Sequence, residues 1–210
     1  MAEKFRITRV AGGPGVECEC LTLPGEKGLL LLHGYSFRYT VWVESGVAAW
    51  GAERGLAVAA PDMPYGRSTS CTRRGRGLEL NLAVAEAAVK AAGMRRLVAV
   101  GASMGARYAA LAAERWGEAV AGLVLVGPAL GGEAGRVRDA LRSAAERGVG
   151  VLIVVGGRDR RPLREQAHSI ARELGAELVV VEGAGHVVHR DAPDAFLSAL
   201  ERFLRGIAWL

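Results

Sequence analysis

Half of the 210 residues are hydrophobic, enough to bury a substantial core, and no apolar run approaches the ~20 residues that a membrane span requires. The net charge of +5 comes from 24 Arg and three Lys against 22 acidic residues. The arginines are spread along the chain without interleaved aromatics, which argues against a nucleic-acid partner. Met1 to Arg6 does not lead into a signal-peptide core, so the expected location is cytoplasmic, with no membrane partner. Three cysteines are then expected to be reduced, with no disulfide framework and with Cys18 and Cys20 as small core or edge residues of a strand. The Arg-rich, Lys-poor composition fits high-GC codon usage, and a single Asn and a single Gln also suit a thermophile.

In chain order, Lys4 to Val10 and Val16 to Leu23 read as two strands joined by a Gly/Pro-rich link, the pattern of a hairpin. Leu29 to Leu32 is a fully apolar third strand that ends in His33-Gly34. Thr40 to Arg54 reads as one helix stopped by Gly55, and Leu56 to Ala60 as a fourth strand that leads into Pro61-Asp62. Met63 to Gly77 is a loop rich in Gly, Ser and Arg. Leu78 to Ala92 is a helix, and Arg96 to Gly101 a buried strand that runs into the helix Ser103 to Trp116. Strands follow at Val120 to Val126, Val149 to Val155 and Leu178 to Val181, with helices at Glu133 to Arg147, Pro162 to Leu174 and Pro193 to Arg205. Strands alternating with helices of this length imply βαβ crossovers. The expected architecture is one α/β domain over residues 1–210, with eight mostly parallel strands and about six flanking helices.

Function in such sheets collects just past the carboxyl ends of the strands. After the fifth strand stands Gly101-Ala102-Ser103-Met104-Gly105, a G-x-S-x-G turn between strand and helix. The motif recurs by chance, so its surroundings must carry the reading. After the seventh strand stands Gly156-Gly157-Arg158-Asp159, and after the eighth Gly183-Ala184-Gly185-His186. A serine hydroxyl needs a base to accept its proton, and His186 has the right ordinary range for that task. Asp159 would hold the other imidazole nitrogen and stabilise the imidazolium. A tetrahedral oxyanion needs preorganised donors, for which the backbone N–H groups of Met104 and Tyr35 are the candidates.

With strand-HG, strand-GASMG, strand-GGRD and strand-GAGH in this order, the chain resembles the α/β-hydrolase superfamily over nearly its whole length. His33-Gly34 with Trp42 is similar to the HG…W pattern of that superfamily, whose residue after HG lends an oxyanion N–H. Asp62 to Ser68 resembles its D-x-P-G-x-G-x-S loop, with Tyr65 where the first glycine is usual. Pro128 to Gly148 leaves room for only one helix, so the resemblance is to small lidless members such as the compact esterase-like group that includes the CCG1-interacting factor B hydrolase. It implies no cap domain; the histidines have no H-x-x-x-H spacing or acidic cluster beside them, so no metal is expected, and no cofactor is expected either. The expected activity is hydrolysis of short-acyl esters or thioesters on a small-molecule acyl substrate. Amide deacylation or perhydrolysis would use the same residues, and an idle hydrolase fold used as an interaction module is the alternative from another class. The oligomeric state is left open.

Each assignment has a competitor. Asp62 also follows a strand, but its Pro-flanked loop reads as structural. His189 competes with His186 but stands further from the last strand's turn. His33 is expected to brace the oxyanion loop, and His168 to be an ordinary helix residue. Gly34, Ser36, Trp42, Arg74 and Arg160 complete the expected substrate-binding set. The two arginines belong to basic loops (Arg67, Arg73, Arg74, Arg76 and Arg158, Arg160, Arg161) that suit an anionic handle or are plain solvated surface.

Overall fold

The computed structural model describes residues 5–210, so Met1–Glu3 and the expected strand start at Lys4 lie outside it. The chain divides after Leu97 into two compact units.

In the first unit, β1 (Arg6–Ala11) and β2 (Glu17–Leu23) form an antiparallel hairpin, with Arg6 opposite Thr22 and Ala11 opposite Glu17. The strand order is β1-β2-β4-β3: β2 lies antiparallel to β4 (Ala57–Pro61), which runs parallel to β3 (Lys27–Leu32). Composition explains the order. The continuous apolar runs of β3 and β4 are buried, whereas β1, with Ile7 64% exposed, can only be an edge. The helix expected over Thr40 to Arg54 is two helices, α1 (Thr40–Glu44) and α2 (Val47–Glu53). The break falls at Gly46, whose φ of +74° leaves the right-handed helix. α3 (Leu78–Ala91) buries Leu82, Ala85 and Ala88, one face at helical spacing.

Asp62, at the end of β4, ties this unit together. It is fully buried; Oδ1 accepts the Tyr39 N–H (2.9 Å), and Oδ2 accepts Arg38 Nε (2.8 Å) and the Ser70 N–H (3.0 Å). The loop that follows is pinned to β2 by the Thr72 N–H on the Glu17 carbonyl, the Glu19 N–H on Ser70 Oγ, and a disulfide between Cys18 and Cys71. That bridge corrects the expectation of three reduced cysteines. Cys18 pairs with a residue 53 positions away, and among the described residues only Cys20 is free. Burial pushes the Cys20 thiol up to about 12.

In the second unit the order is β5 (Arg96–Ala102, all but its first two residues past the division), β6 (Val120–Val126), β7 (Gly150–Gly156), β8 (Glu177–Val181), with β6–β7 and β7–β8 parallel. β6 and β7 are almost wholly buried, while β8 is half-exposed as an edge. α4 (Met104–Trp116) follows β5 directly, and its run of alanines lets it bury every residue from Gly105 to Ala113. α5 (Ala134–Glu146) buries Val137, Ala140, Leu141 and Ala144, and α8 (Pro193–Gly206) buries Phe196, Ala199, Leu200, Phe203 and Leu204. Both are single apolar stripes at i, i+3, i+4, i+7 spacing. α6 (Arg161–Leu174) has Pro162 in its first turn and stops at Gly175 in the left-handed conformation. α7 (Val188–Asp191), one turn long, was not anticipated. With the α1/α2 break it accounts for eight α-helices among the described residues where about six were expected. Between β6 and β7 the chain holds only a 3₁₀ turn and α5.

Candidate active site

Ser103 occupies the single-residue turn between β5 and α4, with φ 52° and ψ −111°. A non-glycine residue at positive φ is strained and persists only where its surroundings hold it. Here the Ser103 N–H donates to the Val126 carbonyl (2.8 Å), and its own carbonyl accepts the Ala129 N–H (3.2 Å). The flanking glycine is a steric requirement, since a Cβ on Gly101 would collide with the backbone of Gly105 and Ala106. The turn lifts the hydroxyl off the end of the strand.

The loops after β7 and β8 bring Asp159 and His186 to it. His186 Nε2 lies 2.9 Å from Ser103 Oγ, and His186 Nδ1 lies 2.8 Å from Asp159 Oδ2. An ionised carboxylate only accepts, so in the neutral ring Nδ1 carries the proton and Nε2 is left to accept from the serine hydroxyl. Asp159 has a fully buried carboxylate, whose other oxygen accepts the Arg160 N–H at 2.7 Å. The imidazole keeps 30% of its surface open. Such a chain can draw a proton from the hydroxyl as it attacks and hold the resulting imidazolium. Asp191, unremarked in the sequence, positions the loop by accepting the Gly185 N–H at 2.9 Å.

The competing residues are placed elsewhere. His189 on α7 is buried edge-on against Phe196, and burial, reinforced by the nearby His186 and Arg190 charges, lowers it to about 3. It is therefore neutral at ordinary pH, and the serine's partner is His186. His168 is exposed on α6. In the first unit, His33 is fully buried: Nδ1 bonds the Gly34 carbonyl (2.8 Å) and Nε2 accepts the Met63 N–H (2.9 Å). Its burial lowers its pKa, so it stays neutral as a brace.

The expected oxyanion donors are both open. Met104 begins α4, where a helix leaves its first N–H groups without partners, and the Tyr35 N–H donates to nothing among the described residues. Of the expected substrate-binding residues, Gly34 is buried and Ser36 exposed. Trp42 is corrected: it has no exposed surface and belongs to the core of the first unit. Arg74 lines a 340 Å³ recess with Tyr35, Pro64, Tyr65, Gly75 and Arg76, and the Arg76 guanidinium sits 5.0 Å over the Tyr35 ring. Arg160 turns its backbone to Asp159 and its side chain to solvent, and Arg161 is paired with Glu165. Among the described residues no helix is long and apolar enough to cross a membrane, and no group of three or more His, Cys, Asp or Glu side chains is set to hold a metal ion.

Comparison with known proteins adds the lineage. The chain is similar over 97% of its length to a predicted CIB-like hydrolase from Thermoplasma acidophilum, at 22% identity and TM-score 0.81, covering 99% of that chain. It is also similar to the carboxylesterase CesB (YbfK) from Bacillus subtilis, at 16% identity and TM-score 0.73, over 97% of this chain and 92% of that one. A third likeness is to the thioesterase domain from the curacin biosynthetic pathway, at 17% identity and TM-score 0.73, over 94% and 99%. At these identities the likeness shows the fold, that of an α/β hydrolase: eight mostly parallel strands flanked by helices. No curated protein sequence matches the chain. A family model described as serine aminopeptidase, S33, matches residues 25–147, more than half of the chain. The chain is thus a hydrolase of the α/β-hydrolase superfamily and belongs to the serine aminopeptidase S33 family.

Proposed function

We propose that this hydrolase cleaves short-acyl esters or thioesters through an acyl-enzyme on Ser103. The observation that carries the reading is the relay Asp159–His186–Ser103, two hydrogen bonds long and ending at a strained serine. As Ser103 Oγ bonds to the carbonyl carbon, its proton passes to His186 Nε2, and Asp159 steadies the imidazolium. The carbonyl oxygen becomes an oxyanion, for which the N–H groups of Met104 and Tyr35 are the proposed donors. His186 then gives its proton to the departing alkoxide or thiolate. In the second half a water, deprotonated by His186, attacks the acyl carbon and frees the acid and Ser103. The reaction drawn this way calls on no cofactor, and residues 1–210 act in it as one hydrolase domain.

Chain-length preference follows from what lies between β6 and β7. A single helix there supplies no cap, and each methylene buried against such a wall is worth about 0.8 kcal/mol. Efficiency toward p-nitrophenyl acyl esters is expected to stop rising after a few carbons. The decisive test is labelling by a fluorophosphonate, mapped by mass spectrometry. Modification of Ser103 in the folded protein is expected, and an unlabelled Ser103 would overturn the proposal. Efficiency that climbs through twelve-carbon chains would reject the short-acyl preference.

A further inference from the structure

Arg107 is a charged side chain that the relay does not use. It stands on α4 four residues after Ser103 and is only 9% exposed. The buried carboxylates of this protein have partners: Asp62 holds Arg38, and Asp159 holds His186. Arg107 has none. Among the described residues no carboxylate lies within ion-pair distance of it and it makes no hydrogen bond, and its Nε is buried without an acceptor. Only Nε is fully shut from water, and the two terminal nitrogens keep access to solvent; a cation buried this far is as a rule paired, and here its open donors are left for a ligand.

Its location says what would pair it. Long side chains on an α-helix run back toward the N-terminus and cover the turn before their own Cα, here the turn that starts at Ser103. Nη2 lies directly against Gly131, in the space a Cβ there would occupy. Gly131 in turn is two residues beyond Ala129, whose N–H holds the Ser103 carbonyl. The guanidinium is therefore walled by the first turn of α4 and by the loop after β6, on the strand-end face that presents the serine.

We propose that Arg107 is a specificity-determining residue that receives an anionic oxygen group of the substrate, a carboxylate or a phosphate type. Arg107 stands about one helical turn (~5.4 Å of rise) into α4, the helix that Ser103 caps, so an anion held there would sit a few bonds from the carbonyl that Ser103 attacks. The planar fork of donors suits either group, and the pairing is charge-assisted. The inference rests on the acyl-transfer reading of Ser103 and names the substrate class of the same site.

The test compares three p-nitrophenyl esters of equal reach: the hydrogen succinate (carboxylate), the 3-phosphonopropionate (phosphonate) and the methyl succinate (neutral), each corrected for its enzyme-free rate. At low salt the wild type is expected to favour at least one anionic ester over the neutral one by ten- to a hundred-fold in kcat/KM, on the order of one charged hydrogen bond, mostly through KM. Whichever anionic ester is favoured identifies the group. In R107M that ratio is expected to fall to about one, and R107K to restore it in part. A ratio near one in the wild type, or one that R107M leaves unchanged, overturns the proposal. Should R107M fail to fold, the wild type decides: monomethyl succinate or methylphosphonate is expected to inhibit neutral-ester hydrolysis competitively, less so as salt rises, and inhibition by neither overturns it. Fluorophosphonate labelling of Ser103 in the same preparations separates the two failures. Label with no anion preference rejects Arg107 alone, whereas no label rejects the hydrolase site beneath it.

Discussion

Each unit of this protein contains an aspartate beside a histidine, and the two pairs do opposite things. In the second unit, Asp159 gives Oδ2 to the ring, the ring gives its other nitrogen to a serine, and part of the imidazole stays open. In the first unit, Asp62 lies 3.8 Å from His33, with both side chains fully buried. There the carboxylate is saturated by Arg38, Tyr39 and Ser70, and both imidazole nitrogens are taken by backbone groups. No nitrogen remains to accept a proton from a substrate or nucleophile. What separates a proton relay from a brace is therefore the partner of the last nitrogen and its access to solvent, not the residue types.

The largest expected effect comes from exchanging each carboxylate for its amide. D159N is expected to cut kcat by about 10³–10⁴, because an amide no longer enforces the Nδ1 tautomer, with little change in melting temperature. D62N is expected to do the reverse. It loses a charged partner in a buried site, at about 3 kcal/mol of stability, with a far smaller loss of kcat in the folded fraction. Steady-state kinetics and urea melts on both variants check this, and equal kinetic losses would erase the distinction.

Next in size is the bridge between Cys18 and Cys71, which anchors the braced side of the comparison. Closing a loop across 53 positions limits the unfolded chain and stabilises by about 4 kcal/mol in the chain-entropy model. The urea midpoint is expected to fall by a corresponding amount in C18S or under a dithiol reductant. A midpoint indifferent to reductant would show that the loop is held by its hydrogen bonds alone.

The smallest effect is in pH. His189 and His33 are both lowered by burial, so the unfolded chain binds their protons more readily than the folded one. Their contribution to stability is intact above about 6.5 and is lost as pH falls from there toward about 3 for His189. At pH 5 the His189 share of that loss is about 2 kcal/mol. H189Q is expected to flatten the pH dependence of the melting temperature below 6.5 relative to the wild type. An unchanged slope would place the acid sensitivity elsewhere.

Much of this architecture was legible in the chain itself, because element formation is local. The span of β6 was read as Val120 to Val126, as observed, from its unbroken apolar run between turn signals. Gly175 and Pro162 mark the ends of α6 by their own backbone preferences. The G-x-S-x-G pattern marked a sharp turn from strand to helix because glycine two positions before the serine is what the crowded turn tolerates. Ser103, Asp159 and His186 were nameable as candidates for the same reason: each sits just past a strand, where an α/β sheet collects its loops.

Other features depend on residues distant in sequence, and no local pattern carries them. Only the folded chain decides that Cys18 meets Cys71, or that the α1/α2 region breaks at Gly46 rather than running on as one helix. The same holds for Trp42, an aromatic whose contact with core rather than substrate is a matter of burial. Arg107 is the sharpest case. In the sequence it is one arginine of 24 in an alanine-rich helix. Its burial comes from the loop after β6, which sets Gly131 against the guanidinium, and among the described residues no counter-charge meets it there. Charge and residue type belong to the sequence, whereas desolvation and pairing belong to the packing, and these last two decide what a charged residue does.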